Sequence, residues 1–225
     1  MEYVEIARAE SERGELVLRE RRPEGAPTSL ELRANGVFVM DTVEVSTERA
    51  LASAALELVE DPRAVVVGGL GLGYTMHEVL ADQRVEKCAV VEIEEALVGW
   101  MRDGTIPHGP ALLADQRVVV VVADIAHALA EARPATYDLV LLDVDNGPGY
   151  LVHEANAALY APPFLTAARA ALRPGGALVI WSADEAPELA AALTETFGDA
   201  EARPLEVLLQ EREEHYWLYV ARVRG

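Results

Sequence analysis

Apolar and polar residues alternate along the first forty-odd positions of the 225-residue chain. The alternation covers YVEIARA, GELVLRERR, SLELRA and VFVMDTV, and it is interrupted by Gly, by Pro and by the pair Asn35-Gly36. Strict alternation with such interruptions is typical of half-buried antiparallel strands that form hairpins. The pattern therefore predicts an N-terminal β-hairpin domain over residues 1–45, followed by a second domain over residues 46–225.

The second region begins with a predicted helix, after which the spacing of its apolar residues changes. Ser46 and Thr47 offer N-caps for a helix that extends to about Val59. From residue 63 onward, helical stretches alternate with short apolar runs, namely AVVVGG, KCAVVEI, RVVVVVAD, YDLVLLDV and GGALVIWS. Apolar runs without alternation suit strands that are buried on both faces, which indicates a parallel sheet covered by helices.

The last two strand-like runs, PLEVLLQE and HYWLYVAR, are separated by only a few residues, so they must pair as an antiparallel hairpin. We therefore predict an α/β fold with a doubly wound, Rossmann-like sheet that is mostly parallel and ends in an antiparallel C-terminal hairpin. The small antiparallel N-terminal sheet precedes it.

Charge and composition narrow the classes of partner. The net charge of −19 and the absence of a Lys/Arg-rich stripe argue against nucleic acid. An acidic surface favours cationic ligands, although it more often serves solubility. A single cysteine, Cys88, excludes an internal disulfide framework, and the histidines lack metal-ligand spacing, so no metal is expected. Without a signal-like segment or an apolar run long enough to span a membrane, a cytoplasmic protein with no membrane partner is expected.

Glycines occupy alternate positions after the first buried strand. The stretch VVVGGLGLGYTMHEVL places Gly69, Gly71 and Gly73 between that strand and a helix. Missing Cβ atoms let backbone N–H groups approach a ligand at the helix N-terminus. The same spacing also suits a tight strand–helix turn that contacts no ligand.

Acidic residues follow the next two strands. Glu92 lies about twenty residues beyond the glycines, where an acid accepts hydrogen bonds from both ribose hydroxyls. Asp124 comes after the following strand, where its carboxylate or the flanking backbone at Ile125 is placed to contact an adenine edge. Each acid alone also suits a helix N-cap or an exposed loop.

The fourth strand leads into the loop LLDVDNGPG, which carries Asp143, Asp145 and Asn146. Asn146 and, farther along this loop, Tyr150 and His153 are candidates to contact the acceptor substrate, with an ordinary surface loop as the alternative. Ligands of open α/β sheets bind beyond the carboxyl ends of the strands. Acids at successive strand ends therefore predict a nucleoside site with an acidic mouth.

These motifs, taken in order, resemble the class I S-adenosylmethionine-dependent methyltransferase fold and, more specifically, the spermidine synthase (polyamine aminopropyltransferase) family. Gly68-Gly69 ahead of His77-Glu78-Val79-Leu80 is similar to that family's Gly-Gly pair before Arg-Glu-Val-Leu. VEIE is similar to its Val-Glu-Ile-Asp, and Leu172 to Gly176 to its Leu-(Lys/Arg)-Pro-Gly-Gly turn. The likeness covers nearly the whole chain, because the family also has a small N-terminal β-domain.

The resemblance implies a transferase of polyamine biosynthesis with a small amine as acceptor and no metal. S-adenosylmethionine or its decarboxylated form would be the co-substrate, bound by the glycine turn, with Glu92 on the ribose and Asp124 at the adenine end. Asp143 would position the attacking amine and help to remove its proton, with Asp145 as a second catalytic acid. A homodimer is expected because members of the family usually associate.

The chain also departs from the family pattern. Its glycine loop is one residue longer and has Leu70 and Leu72 near the place of an aspartate, its substrate loop is shorter, and FVMDTVEVSTERALASAAL contains no counterpart of the family's Gln or Tyr-His-Glu. Two alternatives therefore stay open: a methyltransferase of a small molecule that uses S-adenosylmethionine, and a non-catalytic nucleoside-binding homologue. An acid within reach of the donor's bare amine would favour the decarboxylated donor, whereas backbone N–H donors or a cation there would favour the methyl donor.

Overall fold

Two β-sheets organise the chain over residues 2–209 and 212–225, the part that the computed structural model describes. The N-terminal sheet has four strands in the order β1-β2-β3-β4, and the second has seven in the order β10-β11-β9-β8-β5-β6-β7. The strands are β1 (Glu2–Ser11), β2 (Gly14–Arg22), β3 (Ser29–Ala34), β4 (Val37–Asp41), β5 (Ala64–Gly68), β6 (Lys87–Glu92), β7 (Val118–Val122), β8 (Tyr137–Leu142), β9 (Leu172–Ser182), β10 (Ala200–Leu209) and β11 (Arg212–Arg222). The α-helices are α1 (Ser46–Leu58), α2 (Tyr74–Ala81), α3 (Glu95–Asp103), α4 (Gly109–Leu113), α5 (Ile125–Ala130), α6 (Pro162–Ala171) and α7 (Pro187–Phe197), and a 3-10 helix covers Glu154–Tyr160.

The N-terminal sheet is fully antiparallel, as the alternation predicts. Asn35 and Gly36 both have positive φ, 52° and 76°, and join β3 to β4 in the kind of turn that the Asn-Gly pair favours. Leu18, Leu32 and Met40 of this sheet are buried in the same apolar cluster as the strands of the second sheet. The two sheets therefore pack on each other, and the domain boundary between residues 45 and 46 stays a prediction.

The second sheet is parallel from β7 through β9 and confirms the predicted doubly wound fold. From β5 the chain moves outward through β6 to β7, and it then returns to the other side of β5 for β8 and β9. The strand order therefore reverses between β5 and β8, which is where open α/β sheets bind ligands. The antiparallel β11 and β10 extend the sheet beyond β9, as expected, while the turn that joins them lies outside the described residues.

Strand β7 corrects one expectation, because its five valines suggested burial on both faces. Val119, Val121 and Val122 are 44%, 39% and 44% exposed, whereas Val118 and Val120 pack against the core. The reason is position, since β7 is the last strand in the sheet order and pairs with β6 only. A valine run does not reveal whether a strand is central or at an edge.

Helix α1 begins at Ser46, but neither Ser46 nor Thr47 caps it with a side chain. The Glu44 carboxylate accepts the Ser46 N–H at 2.8 Å instead, and the Thr47 hydroxyl donates to Glu48 Oε2. The predicted N-caps were therefore wrong, because an acid two residues upstream takes the backbone donor. Among the helices of the described residues, none has the length and apolar character needed to cross a bilayer.

Candidate active site

A cavity of about 190 Å³ lies where the strand order reverses, between the carboxyl ends of the parallel strands and the N-terminal sheet. It brings together five residues predicted to contact the nucleoside: Gly69, Gly71, Glu92, Asp124 and Ile125. It also includes three residues of the predicted catalytic and substrate loop: Asp143, Asp145 and His153. Gly73, Asn146 and Tyr150 do not line it.

The glycine turn follows β5 and is held by the chain's own atoms. Gly69 has a φ of +93°, and a Cβ there would lie 2.1 Å from the Asp143 carbonyl oxygen. Gly71 has a φ of +49°, and its Cβ would lie 2.7 Å from Met40 Sδ. Gly73 precedes α2 and packs against Met101. The tight packing of the turn by itself explains why these positions are glycine. Gly69 and Gly71 also form part of the cavity wall.

Glu92 ends β6 and is only 7% exposed. Its Oε2 accepts the Leu70 N–H and its Oε1 accepts the Glu94 N–H, both at 2.8 Å, so the carboxylate joins β6 to the glycine turn. Burial raises the pKa of Glu92, and the two N–H donors oppose that shift. Each oxygen keeps a further lone pair, so the carboxylate can also accept hydrogen bonds from a ligand's hydroxyl groups.

Asp124 is the N-cap of α5, where its Oδ1 accepts the Ala126 N–H at 2.7 Å. This is the structural role that the sequence left open for it. The Asp124 Oδ2 takes part in no hydrogen bond among the described residues, and the residue lines the cavity together with the buried Ile125. The cap therefore orients the carboxylate without occupying both of its oxygens.

Asp143 directly follows β8, and its backbone N–H donates to the Gly68 carbonyl, which sets the strand end against the glycine turn. The Thr75 hydroxyl of α2 donates to Asp143 Oδ2 at 2.5 Å. Burial raises the pKa of Asp143 to about 6, and the Thr75 hydrogen bond acts against this shift. A carboxyl group that titrates near neutral pH on a cavity wall is suited to act as a general base.

The Asp145 carboxylate, for which the sequence predicted a catalytic role, is hydrogen-bonded to its own loop and the following 3-10 helix. It has a φ of +68°, its Oδ1 accepts the N–H groups of Asn146 and Val152, and its Oδ2 accepts Asn156 Nδ2 at 2.7 Å. With three donors on two oxygens, this carboxylate folds its own loop. We therefore take only Asp143 as the candidate base.

The remaining predicted substrate contacts separate into two groups. His153 reaches the cavity, and its Nδ1 accepts the Ala155 N–H at the start of the 3-10 helix. Asn146 is held away from the cavity by a hydrogen bond from Ala183 N to its carbonyl, and Tyr150 is 54% exposed. The structure thus does not bring Asn146 and Tyr150 to the cavity, because the shortened loop packs toward β9.

The β1–β2 turn contributes cavity residues that the sequence did not single out. Arg13 Nη2 donates to Asn156 Oδ1 at 2.8 Å, and its Nε lies 3.6 Å from Glu94 Oε1. Among the described lining residues Arg13 is the one arginine, and no lysine is present. The carboxylates that line the cavity are Glu15, Glu92, Glu94, Asp124, Asp143 and Asp145. The site is therefore strongly acidic, and its arginine is already paired.

Glu48, in the first turn of α1, is a second residue that sequence reasoning missed. Burial and the charge of Asp143 raise its pKa to about 7. The segment around Glu48 lacks the family's Gln and Tyr-His-Glu, and an acid at a helix start is too common to indicate a functional residue. Helix α1 packs beside β8, which Asp143 follows, and Glu48 itself does not line the cavity.

Comparisons with known proteins agree with this geometry. The Spermine/spermidine synthase domain model matches residues 44–200. Polyamine aminopropyltransferase 2 of Pseudomonas aeruginosa is 30% identical over 153 residues, and the match covers 64% of this chain and 42% of that protein. Putrescine N-methyltransferase 3 of Nicotiana tabacum is 32% identical over 120 residues, covering 52% of this chain and 29% of that protein. The matched regions are less than half the length of either relative.

A spermidine synthase solved in complex with the transition-state analogue AdoDATO has the same fold. It superposes with a TM-score of 0.81 at 17% identity, over 96% of this chain and 73% of that one. The superposition includes the N-terminal sheet, which lies ahead of the matched domain. Because the domain model spans well over half of the chain and includes the carboxyl ends of the parallel strands that line the cavity, the chain belongs to the spermine/spermidine synthase domain family.

Proposed function

We propose that this chain is a spermidine synthase-like transferase that moves an aminopropyl group from decarboxylated S-adenosylmethionine to a small amine. The observation that carries the proposal is the charge of the cavity, where six carboxylates and a single, already paired arginine form the wall. The donor's sulfonium, its primary ammonium and the acceptor amine are all cations, and carboxylates attract each of them. The family and the names of the curated relatives support the same reaction.

In the proposed complex the adenosine part of the donor fills the cavity. Glu92 accepts hydrogen bonds from the ribose hydroxyls, and the Asp124–Ile125 segment contacts the adenine. This placement directs the sulfonium toward Asp143, at the end of the neighbouring strand. The arrangement follows from the order of β6, β7 and β8 around β5 and from the cavity that their ends share.

The transfer step needs one new bond and one base. The unprotonated amine nitrogen attacks the propyl carbon attached to sulfur, a C–N bond forms, and the C–S electron pair returns to sulfur as methylthioadenosine leaves. The nitrogen gives up a proton to the Asp143 carboxylate, which passes it to solvent. Most of the acceleration comes from holding nitrogen, carbon and sulfur in line.

A methyltransferase is the second candidate, because putrescine N-methyltransferases of Nicotiana are among the relatives. Their donor carries an additional carboxylate on its tail. Near Asp143 that carboxylate would meet like charge, and the only arginine of the described lining is Arg13, which is paired with Asn156 and Glu94. This electrostatic argument favours the decarboxylated donor. An aliphatic diamine or polyamine is the acceptor class that both sets of relatives suggest.

The test is to incubate the protein with each donor and a panel of diamines and to identify the nucleoside product by mass spectrometry. Methylthioadenosine is the expected product, formed only with the decarboxylated donor and an amine. S-adenosylhomocysteine as the product would establish methyl transfer instead. Neither product, together with a thermal shift from either donor, would indicate a non-catalytic nucleoside-binding homologue. A cytoplasmic location and a homodimer stay predictions, to be checked by fractionation and light scattering.

A further inference from the structure

Thr75 is a buried threonine at the second position of α2, and it is 3% exposed. Threonines farther along a helix commonly donate to the carbonyl oxygen four residues earlier, as Thr194 and Thr196 of α7 do. No helical carbonyl group precedes Thr75 by four residues in α2, so its hydroxyl contacts other elements. It lies 2.5 Å from Asp143 Oδ2, at the end of β8, and 3.3 Å from the Glu48 carbonyl oxygen of α1. One hydroxyl therefore joins three elements of the fold.

The two contacts of this hydroxyl suit both charge states of Asp143. A hydroxyl has one proton to donate, and the shorter contact assigns it to Asp143 Oδ2 while that carboxylate is ionised. Once Asp143 is protonated, the same hydroxyl can turn its proton to the Glu48 carbonyl oxygen. Because a buried hydroxyl without an acceptor is costly, this second acceptor lets Asp143 change its charge without leaving Thr75 unpaired.

The Thr75 contact also leaves one oxygen of Asp143 for a ligand. Within the described part of the chain, the Asp143 carboxylate accepts no hydrogen bond other than the one from Thr75, and Asp143 forms part of the cavity wall. With Oδ2 held, rotation of the carboxylate is restricted, and Oδ1 is the oxygen that can take a proton. A general base has to be held within hydrogen-bond reach of the proton that it removes.

The charge of Asp143 depends on this one hydroxyl. Burial raises the pKa of Asp143 to about 6, and the Thr75 hydrogen bond opposes that rise. Arg49 of α1 lies over the Tyr74 ring and forms no ion pair with Asp143 among the described residues. The other titratable groups around Asp143 carry no positive charge; they are Glu48 of α1, Glu92 of β6, Asp145 of its own loop and Tyr160 of the 3-10 helix.

We propose that Thr75 is a positioning residue of the transfer reaction, whose hydroxyl keeps the Asp143 carboxylate ionised and oriented so that Oδ1 receives the proton of the attacking amine. The inference rests on the proposed function, in which Asp143 is the base. Thr75 does not line the cavity, so it acts through Asp143 and makes no contact with the substrates.

The test compares Thr75→Val, Thr75→Ala and Thr75→Ser with the wild type. The rate of aminopropyl transfer from decarboxylated S-adenosylmethionine to 1,4-diaminobutane is measured between pH 5 and pH 9. Valine keeps the shape of the side chain without the hydroxyl, alanine removes the hydroxyl without placing a methyl group against Asp143, and serine keeps the hydroxyl. Protonation of the diamine is the same for every variant, so differences between the pH profiles come from the protein.

A second measurement does not need turnover. Infrared titration follows the C=O stretch of the protonated Asp143 carboxyl group, identified as the band that Asp143→Asn lacks. Thr196→Val is the matched control in both measurements, because it removes a half-buried helical hydroxyl that donates to a backbone carbonyl group and lies outside the cavity.

In Thr75→Val and Thr75→Ala, the midpoints of both titrations should rise by about 1–2 pH units, the size expected for loss of one hydrogen bond to a charged group. The kcat at pH 7 should then fall by about 2- to 10-fold, and the loss should shrink toward pH 9, with little change in KM. Thr75→Ser and Thr196→Val should match the wild type.

Two results would overturn the proposal. One is a set of midpoints in Thr75→Val and Thr75→Ala that equal those of the wild type. The other is a shift that Thr75→Ser does not restore, because packing of the side chain and not its hydroxyl would then be responsible.

The two measurements separate this inference from the proposed function. An active wild-type enzyme whose titrations do not respond to loss of the hydroxyl refutes the role of Thr75 alone. A wild-type protein that transfers nothing, yet shows the shifted Asp143 band in Thr75→Val, refutes the proposed reaction and leaves the control of the Asp143 charge by Thr75 standing.

Discussion

At the scale of single residues, the carboxylates around the cavity differ in the groups of the chain from which they accept hydrogen bonds. Glu92, Asp124 and Asp145 each accept backbone N–H groups and thereby fix a turn, a helix start and a loop. Within the described part of the chain, the Asp143 carboxylate accepts one hydrogen bond, from the Thr75 hydroxyl. Asp143 is therefore the one of these four acids whose carboxylate accepts no backbone N–H of the described residues, and it is the best placed to exchange a proton during a reaction.

Replacing Asp143 with Asn tests this difference. The amide keeps the size of the side chain and can still accept the Thr75 hydrogen bond, but it cannot take a proton from the amine. We expect the turnover number for aminopropyl transfer to fall by about 10²- to 10⁴-fold while methylthioadenosine affinity changes little. Equal losses in both quantities would instead make Asp143 a structural residue.

The pH dependence of the transfer rate also follows from Asp143. With the pKa of Asp143 raised to about 6, its basic form dominates above that pH and is lost as the pH falls through it. We therefore expect the limiting rate of transfer to decrease below about pH 6 and to level off above it. A rate profile that is flat between pH 5 and pH 8 would contradict a base with this pKa.

The contribution of Asp143 to the free energy of unfolding should change with pH in the direction opposite to that of the transfer rate. A carboxyl group whose pKa is higher in the folded state than its ordinary value of 3.8 binds more protons when folded, so the free energy of unfolding falls as pH rises from about 4 to about 6. Asp143→Asn removes this penalty and should raise the free energy of unfolding at pH 8 by about 1–2 kcal/mol, with little effect at pH 4. Urea denaturation at the two pH values measures the difference.

At the scale of elements, the turn between β5 and α2 joins the two halves of the site. Its backbone contacts the end of β8 through Gly69 and the end of β6 through the Leu70 N–H. Met40 Sδ of β4 accepts the Leu72 N–H at 3.1 Å, and His108 Nε2 lies 2.6 Å from the Leu72 carbonyl oxygen. A change in this turn therefore moves both strand ends that carry acids.

Gly69→Ala should show this coupling. The new methyl group would have to lie 2.1 Å from the Asp143 carbonyl oxygen at a φ of +93°, so strain and displacement should together cost about 3 kcal/mol of unfolding free energy. Gly175→Ala is the control, because its φ is +83° but nothing lies within 4 Å of its Cβ, and about 1 kcal/mol is expected. Similar losses for the two variants, measured by urea denaturation, would contradict the close contact.

At the scale of the whole molecule, the cavity exists because the N-terminal sheet covers the strand ends of the second sheet. The β1–β2 turn supplies Arg13, which contacts the 3-10 helix through Asn156 and the start of α3 through Glu94. Ser11 adds a hydrogen bond to the same Glu94 at 3.3 Å. These contacts link three distant segments of the chain across one side of the nucleoside site.

Arg13→Ala should therefore affect ligand retention more than folding. Because the Arg13 contacts are partly exposed, we expect a stability loss below about 1 kcal/mol. Methylthioadenosine should dissociate about 3- to 10-fold faster, since the β1–β2 turn would no longer be tied across the cavity. Stopped-flow measurements of dissociation check this, with Arg22→Ala as the control, because Arg22 forms its ion pair with Glu20 at the other end of the N-terminal sheet, away from the cavity. Equal rates for wild type and Arg13→Ala would exclude a retaining role.

Much of the site was predictable because parallel strands bring their carboxyl ends to one edge. Glu92, Asp124 and Asp143 are far apart in sequence, yet each follows a strand of the same sheet, so their convergence needed only the strand assignments. Arg13 and Glu48 were not predictable in this way. Their contacts depend on how the N-terminal sheet and α1 pack against those strand ends, which no local pattern encodes.

The sequence by itself determined the strands and the helices between them apart from α4 and the 3-10 helix, the parallel core with its antiparallel end, the glycine turn and the acids at the strand ends, because these follow from the local period of apolar residues and from backbone geometry. Tertiary structure alone decided that β7 is an edge strand, that Asp145 folds its own loop, and that burial and the charge of Asp143 raise the pKa of Glu48. Those outcomes depend on burial and on charges brought together from distant segments. The pKa of a carboxyl group is set by the residues around it in three dimensions, and these are not its neighbours along the chain.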